Sequence, residues 1–418
     1  MNYVYSAVSS NLHFFGNTNP VDLADNFGTP LYVYNENILR EKCRELKNLV
    51  DYKNFFVNYS PKANSSLELL KIVREEGLWV DAMSPGEIFI NLKAGFQPGH
   101  IFYISNNVSD EEFKYAVSAG VKISVDSVSQ LERYGRLNPG GKVAIRLNPG
   151  VGAGHHKKVV TGGKKTKFGI EIKFLDEVKS ILKKYNLKLI GINQHIGSLF
   201  MDSNSYIESV DSILTVAKKF DDLEFIDLGG GFGIPYRKQE NESRLDLKLL
   251  GTKLTEILNK WIKEYGKEIV IKIEPGRYIV AECSILLGTV NAVKMNYDLK
   301  YIGTDLGFNV LVRPVMYDSH HDVEIYRKSD KPSAKDLQVR IVGNICETGD
   351  IIAKDRLLPE IFEEDIIGVL DSGAYGYAMS SNYNNRLRPA EVLIDAKGNP
   401  RLIRRRDTLE DLLRNYEY

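Results

Sequence analysis

The sequence predicts an α/β protein whose larger part is a parallel (β/α)8 TIM barrel, followed by a C-terminal antiparallel β domain. First, short β-rich segments alternate with amphipathic helical segments over residues 30–280, as in parallel strands joined by crossover helices. Second, these segments form eight strand-and-helix units, the number that closes such a barrel. Third, short β-branched segments replace the long helices after residue 280.

The barrel is predicted from eight strand candidates. In chain order they are FFVNYS near 55, LWVDAMS near 80, IFYIS near 102, KISVDS near 123, KVAIRLN near 143, LKLIGINQHI near 190, EFIDLGGG near 225 and EIVIKIEP near 270. The segment LKLLGTKLTEILNKWIKEYG is typical of the intervening helices, because its apolar residues recur at i, i+3, i+4 and i+7. We therefore assign residues 30–280 to the barrel.

The second domain is predicted from five short segments that follow Arg277. They are ILLGTVNAVKMN, YIGTDLGF, DLQVRIVGN, DIIGVLD and AEVLID. Turn residues bound these segments and no long helix separates them, which favours an antiparallel sheet. We assign residues 281–418, together with residues 1–29, to this C-terminal β domain.

Composition narrows the class of protein. The 418 residues are 43% hydrophobic, enough for a large core. Lys+Arg and Asp+Glu each count 55, so a small-molecule ligand is expected rather than nucleic acid or a membrane. The three cysteines are too widely spaced for a disulfide framework, and the first residues lack an apolar signal segment. We expect a soluble cytoplasmic protein without a metal site, because His155 and His156 lack further ligands at usable spacing.

Polar residues follow the predicted barrel strands. In barrels of this kind the chemistry lies at the carboxyl ends of the strands, where the βα loops begin. A single polar residue there is usually a cap or a turn residue, but a whole row of them favours a functional site. The residues are Lys62, Asp81, Ser84, Asn106, Asp126, Arg146, Asn148, His195, Ser198, Gly229, Gly230, Gly231, Glu274 and Arg277.

Two of these features suit an aldehyde cofactor that carries a phosphate. In a partly dry site Lys62 can lose its proton and form a Schiff base with an aldehyde. An exposed lysine at a helix start is the plainer alternative. The run LGGGFGIP at 228–235 can present backbone N–H groups to a phosphate. It is neither a Walker loop nor a GxGxxG fingerprint, so glycines in a tight turn explain it nearly as well.

His195 and Glu274 suit the ring of such a cofactor. The imidazole of His195 can stack on a flat heteroaromatic ring while Ser198 donates to the phosphate; a hydrogen-bonded core histidine is the alternative. Glu274 can face a pyridine nitrogen, and Arg277 can bind phosphate or carboxylate. A helix-capping Glu274, or an ion pair between Glu274 and Arg277, would explain the same residues.

Nine segments, in the same order along the chain, resemble the diaminopimelate decarboxylases. They are YSPKAN around Lys62, SPGE at 84–87, TGGKKTKFGI at 161–170, QHIGS at 194–198, LGGGFG at 228–233, EPGR at 274–277, RPVMYD at 313–318, CETGD at 346–350 and GAYGYAMSSNYNNRLRPAEV at 373–392. That family belongs to the alanine-racemase-like, fold type III enzymes, which use pyridoxal 5'-phosphate (PLP). The resemblance therefore implies a PLP-dependent amino-acid decarboxylase.

The resemblance also implies a role for each matching residue. Lys62 binds PLP as the Schiff-base lysine, and Cys346 donates the proton to the decarboxylated carbon. The implied cofactor-binding residues are Lys62, Asp81, His195, Ser198, Gly229, Gly230, Gly231, Glu274, Arg277 and Tyr375. The implied substrate-binding residues are Arg277, Arg313, Tyr317, Glu347 and Tyr375. Members of the family place the Cys346 segment in the active site of the other subunit, so we expect a homodimer with shared sites.

Glu274 favours decarboxylation over racemisation. Loss of carbon dioxide leaves a carbanion at Cα, which the protonated pyridinium absorbs only if a carboxylate keeps its nitrogen charged. Racemases of this fold usually place an arginine there. The resemblance, with Arg277, Arg313, Tyr317 and Glu347 retained together, implies conversion of meso-diaminopimelate to L-lysine and carbon dioxide. An amino-acid racemase and an inactive regulatory homologue are the alternatives from other classes.

Three departures from the family pattern leave the substrate open. Ser60 and Pro61 stand where Ala-Val is common, Leu199 where Gln is usual, and Cys283 with Ser284 where Ala-Gly is common. They border the cofactor and substrate without removing a catalytic group. The alternative is a pathway-specific relative that decarboxylates N-citrylornithine in siderophore synthesis, D-ornithine, carboxynorspermidine or carrier-bound glutamate.

Overall fold

The protein divides into two compact units. A computed structural model describes residues 2–5, 8–104, 106–148, 150, 166–327 and 336–417. The barrel unit comprises Arg40–Ile234 and Arg244–Ile279, and the β unit comprises Met1–Leu39, Pro235–Ser243 and Val280–Tyr418. His155, His156 and residues 161–165 of the segment at 161–170 lie outside the described residues.

The secondary structure follows the predicted alternation. The strands are β1 Asn2–Tyr5, β2 Leu31–Asn35, β3 Phe55–Tyr59, β4 Trp79–Ala82, β5 Ile101–Ile104, β6 Lys122–Val125, β7 Lys142–Asn148, β8 Ile170–Glu171, β9 Lys188–Asn193, β10 Phe225–Asp227, β11 Val270–Ile273, β12 Ser284–Asn296, β13 Leu299–Thr304, β14 Val323–Arg327, β15 Asp336–Val342, β16 Ile351–Pro359, β17 Ile366–Val369, β18 Ala390–Ile394 and β19 Pro400–Arg404. The α-helices are α1 Val8–Asn11, α2 Pro20–Phe27, α3 Glu36–Lys47, α4 Leu67–Glu75, α5 Pro85–Lys93, α6 Asp110–Ser118, α7 Val128–Leu137, α8 Leu175–Lys184, α9 Asn204–Ala217, α10 Leu247–Tyr265, α11 Arg277–Val280 and α12 Arg313–Tyr317.

Eight parallel strands close the barrel unit. Their order around the barrel is β3, β4, β5, β6, β7, β9, β10 and β11. The circle closes because β6 pairs with β7 and β11 pairs with β3. The two-residue strand β8 pairs with β7. The predicted (β/α)8 barrel is confirmed.

Local sequence sets where the barrel helices begin and which face they bury. Four N-cap side chains accept a hydrogen bond from the backbone N–H three residues further on, namely Ser84, Ser109, Ser127 and Asp246. In α10 the residues Leu250, Leu254 and Leu258 are all buried. Since they are four residues apart, they form one apolar stripe along the helix.

The inside of the barrel changes from apolar to polar residues. An apolar cluster comprises Phe102, Ile104, Ala144, Ile190 and Phe225. The Lys272 ammonium lies 4.7 Å from the Phe102 ring and 4.0 Å from the Phe225 ring. Because β5 and β11 are not neighbours, these side chains must point into the barrel. Glu274 follows Lys272 by two residues and shares its face of the strand, so it lies nearer the carboxyl ends.

The β unit contains one ten-stranded mixed sheet. Its main order is β1, β14, β17, β12, β13, β15 and β16, with β2 joining β12 to β18 and β19 beyond β18. Most pairs are antiparallel, as predicted, whereas β13 with β15 and β2 with β18 run parallel. A parallel pair forms because the chain returns to the sheet in the same direction after an intervening segment. None of the described helices is both long and apolar enough to cross a lipid bilayer.

Candidate active site

Lys62 and Asp81 lie close together at the carboxyl ends of β3 and β4. Lys62 is half-buried in the turn after β3, and Asp81 is fully buried. The Ser60 hydroxyl donates a 2.5 Å hydrogen bond to Asp81 Oδ2. Burial raises the pKa of Asp81 to about 7, although the positive charge of Lys62 opposes the rise. The carboxyl group of Asp81 is therefore close enough to Lys62 to respond to its charge.

Glu274, directly after β11, is a buried carboxyl group. It is 4% exposed, and burial, followed by the charges of Asp227 and Asp81, raises its pKa well above the ordinary value. Within the described residues Glu274 Oε1 has no hydrogen-bond partner. The positive charges of Lys62 and Arg146 oppose the rise in pKa. This orphaned oxygen is suited to a ligand that carries a proton donor.

His195 is held as a neutral imidazole. The backbone N–H of Gly230 donates a 3.1 Å hydrogen bond to His195 Nδ1, so that nitrogen carries no proton. Burial, followed by the charges of Lys62 and Arg146, lowers the pKa of His195 well below its ordinary value. A neutral ring in this fixed orientation can stack on a flat ligand.

The glycine turn after β10 brings three segments into close contact. A Cβ at Gly229 would lie 2.3 Å from the Gln194 carbonyl oxygen, and one at Gly230 would lie 1.8 Å from the Glu274 carbonyl oxygen. Gly231 has a φ of 110°, which a side chain would strain. The N–H of Gly229 donates to Asp227, as that of Gly230 does to His195. These two glycines therefore contribute close backbone approach rather than available donors.

Arg277 and Ser198 form a polar pair. Arg277 is the first residue of α11 and is 5% exposed. Its Nη2 donates a 2.9 Å hydrogen bond to the Ser198 hydroxyl. Arg277 is thus paired with Ser198, rather than being a solvated surface residue, and the two together offer hydrogen-bond donors to an anion.

The remaining predicted site residues lie in the β unit. Arg313, at the start of α12, is 1% exposed, and Tyr317 is half-buried at the end of the same helix. Residues four apart share one face of a helix. Tyr375 is half-buried and has a φ of 58°, a left-handed conformation that is uncommon for tyrosine and often occurs at functional sites.

Cys346 and Glu347 lie side by side in an exposed turn between β15 and β16. Both carboxylate oxygens of the buried Asp350 brace this turn, since Oδ1 accepts from the Phe308 N–H at 2.6 Å and Oδ2 from the Ile345 N–H at 2.8 Å. The thiol is therefore presented on a fixed turn.

Sequence reasoning missed two residues, His321 and Tyr236, that contact the predicted site residue Arg313. His321 Nδ1 donates to the Leu370 carbonyl oxygen at 2.7 Å, so His321 Nε2 accepts the 2.7 Å hydrogen bond from Arg313. The Arg313 guanidinium also lies 4.6 Å from the Tyr236 ring. The position of His321 eight residues after Arg313 gave no signal of this contact.

The barrel site fits PLP. This cofactor carries an aldehyde for a lysine, a flat pyridine ring and a phosphate. A ring N–H would satisfy the orphaned Oε1 of Glu274, and the neutral His195 imidazole can stack on the ring. The donors of Arg277 and Ser198 suit the phosphate. The fold and the site therefore define a PLP-dependent barrel enzyme.

Known proteins share this combination of fold and site. Residues 36–281, more than half of the chain, match the family model described as "Pyridoxal-dependent decarboxylase, pyridoxal binding domain". A diaminopimelate decarboxylase of Methanothermobacter thermautotrophicus is 43% identical over 409 residues, covering 96% of this chain and 94% of that protein. That of Escherichia coli is 33% identical over 410 residues, covering 94% and 95%. The crystal structure of the Helicobacter pylori enzyme complexed with L-lysine has a TM-score of 0.87 at 30% identity, covering 95% of this chain and 98% of that one.

These likenesses confirm the prediction of a PLP-dependent carboxy-lyase, both for the class of enzyme and for its cofactor. The chain belongs to the diaminopimelate decarboxylase family.

Proposed function

We infer that this protein converts meso-diaminopimelate to L-lysine and carbon dioxide with PLP as its cofactor. One observation carries the inference: the 43% identity to a diaminopimelate decarboxylase extends over 96% of the chain, so the barrel unit and the β unit are retained together. The related Helicobacter pylori structure holds L-lysine, the expected product. By family resemblance the D-configured centre loses its carboxylate.

The barrel unit holds the cofactor. Lys62 binds its aldehyde carbon, His195 stacks on its ring, and Ser198 with Arg277 binds its phosphate. Bound PLP supplies an electron-poor ring that accepts the negative charge left on the substrate when carbon dioxide departs. Glu274 keeps a proton at the ring nitrogen. The residues that we propose to line the cofactor site are Lys62, Asp81, His195, Ser198, Gly229, Gly230, Gly231, Glu274, Arg277 and Tyr375. Gly229 and Gly230 contribute close backbone approach there rather than N–H donors.

The β unit binds the substrate and supplies the proton. Arg277 of the barrel unit, Arg313 and Tyr317 bind the substrate carboxylates, Glu347 binds the distal ammonium, and Tyr375 contacts both cofactor and substrate. Cys346 donates its Sγ proton to the carbon that has lost carbon dioxide, so a C–H bond replaces the C–C bond that breaks.

The assembly that we propose is a cytoplasmic homodimer with shared active sites. By family resemblance, the turn with Cys346 and Glu347 completes the site of the other subunit. The exposure of both residues supports this, because groups that act in a partner must be accessible on their own subunit. The ligands are small amino acids, and neither nucleic acid nor a membrane is proposed as a partner.

The alternatives have less support. The relatives named above are diaminopimelate decarboxylases, and nothing in these likenesses favours a siderophore, polyamine or carrier-protein substrate. A racemase would need an arginine where Glu274 stands.

Substrate choice is tested with the PLP-loaded protein. Carbon dioxide release is measured over meso-diaminopimelate, D-ornithine, L-ornithine, N-citrylornithine and carboxynorspermidine. We expect rapid turnover of meso-diaminopimelate alone. Turnover of another member of the panel instead would overturn the substrate and retain the reaction.

The catalytic roles are tested by substitution. Lys62→Ala should abolish the cofactor absorbance near the visible edge, whereas the control Lys114→Ala, on the exposed side of α6, should keep it. Cys346→Ala should slow turnover strongly and keep the absorbance. A mixture of the two inactive variants should regain activity if the sites are shared. Subunit exchange without any recovery contradicts shared sites.

A further inference from the structure

A second segment of the β unit contacts the turn that carries Cys346 and Glu347. The backbone N–H of Cys346 donates a 3.0 Å hydrogen bond to Asn384 Oδ1. The Tyr383 hydroxyl donates a 2.7 Å hydrogen bond to Glu347 Oε1. Two residues that are neighbours in the chain thus hold this turn. Asn384 binds the backbone of Cys346, the proposed proton donor, and Tyr383 binds the carboxylate of Glu347.

The phenol ring of Tyr383 is fixed at its other end. It stacks on the Phe308 ring, with 5.6 Å between the ring centroids and 23° between the planes. The backbone of Phe308 is bound by Asp350, whose other carboxylate oxygen binds Ile345, the residue before Cys346. The ring and the turn are therefore linked through the same carboxylate, Asp350, and the stacking on Phe308 places the Tyr383 hydroxyl beside Glu347.

The charges are arranged so that Tyr383 donates its proton to this hydrogen bond. The hydrogen bond to Glu347 raises the pKa of Tyr383, and the negative charge of the same carboxylate adds to the rise. Tyr383 therefore keeps its proton. With Oε1 of Glu347 held by the phenol, Oε2 is left in a set orientation for a second donor.

We propose that Tyr383 is a positioning residue that orients the Glu347 carboxylate toward the distal ammonium of the substrate, and so contributes to substrate selection. The inference rests on the proposed function, which assigns that ammonium to Glu347. An ammonium needs an acceptor aimed along one of its N–H bonds. A carboxylate already held at one oxygen loses less rotational freedom when it binds such a group.

The test is Tyr383→Phe, which keeps the ring on Phe308 and removes only the hydroxyl. We expect KM for meso-diaminopimelate and the dissociation constant of L-lysine, measured by calorimetry, to rise about three- to tenfold, the size of the ordering cost of one side chain that is no longer held before binding. We expect kcat to change less than twofold and the cofactor absorbance to stay the same. The matched control is Tyr297→Phe, since Tyr297 is fully exposed in the same unit.

A merely structural role predicts a different pattern. If the hydroxyl only braced the turn, its loss would displace Cys346, and kcat would fall more than KM rises. A double-mutant cycle with Glu347→Gln separates the two roles. Because Tyr383 acts through Glu347, the double variant should bind L-lysine no more than about twofold more weakly than Glu347→Gln alone. Additive losses, an unchanged KM or a loss confined to kcat would each overturn the proposal.

The proposed function is checked first in the same assay. If the wild-type protein does not turn over meso-diaminopimelate, the proposed function fails, and the role of Tyr383 fails with it. If the wild type does turn the substrate over but Tyr383→Phe keeps the wild-type KM and affinity for L-lysine, only the role of Tyr383 is refuted.

Discussion

Gly230 sets the position of Glu274, and replacing it with alanine should displace that carboxylate. A Cβ at Gly230 would lie 1.8 Å from the Glu274 carbonyl oxygen and 2.7 Å from its carbonyl carbon. Real Cβ atoms essentially never come within 3.0 Å of another heavy atom of this kind. Both neighbours are backbone atoms at barrel strand ends, so no flexible side chain can move aside instead.

The displacement can be worked out from these distances. To lengthen the distance between the added Cβ and the Glu274 carbonyl oxygen from 1.8 Å to 3.0 Å, the glycine turn and Glu274 must move apart by about 1.2 Å. A misplacement of about 1 Å at a catalytic group costs on the order of 100-fold in rate. We therefore expect Gly230→Ala to lower kcat by about 100-fold.

A graded glycine series supplies the controls. At Gly276 a Cβ would lie 3.1 Å from the Ala63 Cβ, a contact that relaxes with small movements, so Gly276→Ala should lose less than about tenfold in kcat. At Gly99 nothing lies within 4 Å of the added Cβ, and Gly99→Ala should match the wild type. The assay is kcat for carbon dioxide release by soluble, PLP-loaded protein, with circular dichroism to check folding. If Gly230→Ala folds and keeps the wild-type kcat, the reasoning is refuted.

Two further predictions concern stability. The side chains of Arg327 and Asp365 are 2% and 5% exposed and joined by hydrogen bonds of 3.0 and 2.6 Å. Asp365→Ala should therefore lower the free energy of unfolding in urea by about 3–5 kcal/mol, because it removes the carboxylate that pairs with a buried guanidinium; a loss below about 1 kcal/mol would contradict this. Hydrogen bonds from Arg44 and Arg40 lower the pKa of Glu76 in the folded state, so its ionised form stabilises the fold above the ordinary pKa. Glu76→Gln should therefore cost up to about 1 kcal/mol at pH 7 and nothing once the pH falls below the lowered pKa; a cost independent of pH would refute the assignment.

The sequence alone was sufficient to predict the barrel, because each strand leaves a local pattern. The strand candidate near 270 became β11, and Glu274 stands directly after it. The same rule placed Lys62 after β3. In a parallel barrel all carboxyl ends face one side, so residues far apart in sequence converge there without any information on pairing.

Contacts between distant residues in the β unit could not be predicted in this way. His321 contacts Arg313, and Tyr383 contacts Glu347, each through a single hydrogen bond between residues of different segments. The segments that contain His321 and Tyr383 have no periodic pattern from which these contacts could be predicted. The parallel pairs in the sheet could not be predicted either, because the pairing of β2 with β18 joins segments some 360 residues apart in the sequence.

The buried carboxyl groups of the barrel bear on how the site obtains its proton. Burial raises the pKa of Asp227 to about 6, while the positive charge of Lys272 opposes that rise. Burial and the charges of Asp227 and Asp81 raise the pKa of Glu274 well above its ordinary value. The barrel therefore favours the protonated form of carboxyl groups beside the place where a ring nitrogen would need a proton, and strongly perturbed carboxyl groups of this kind often mark a functional site.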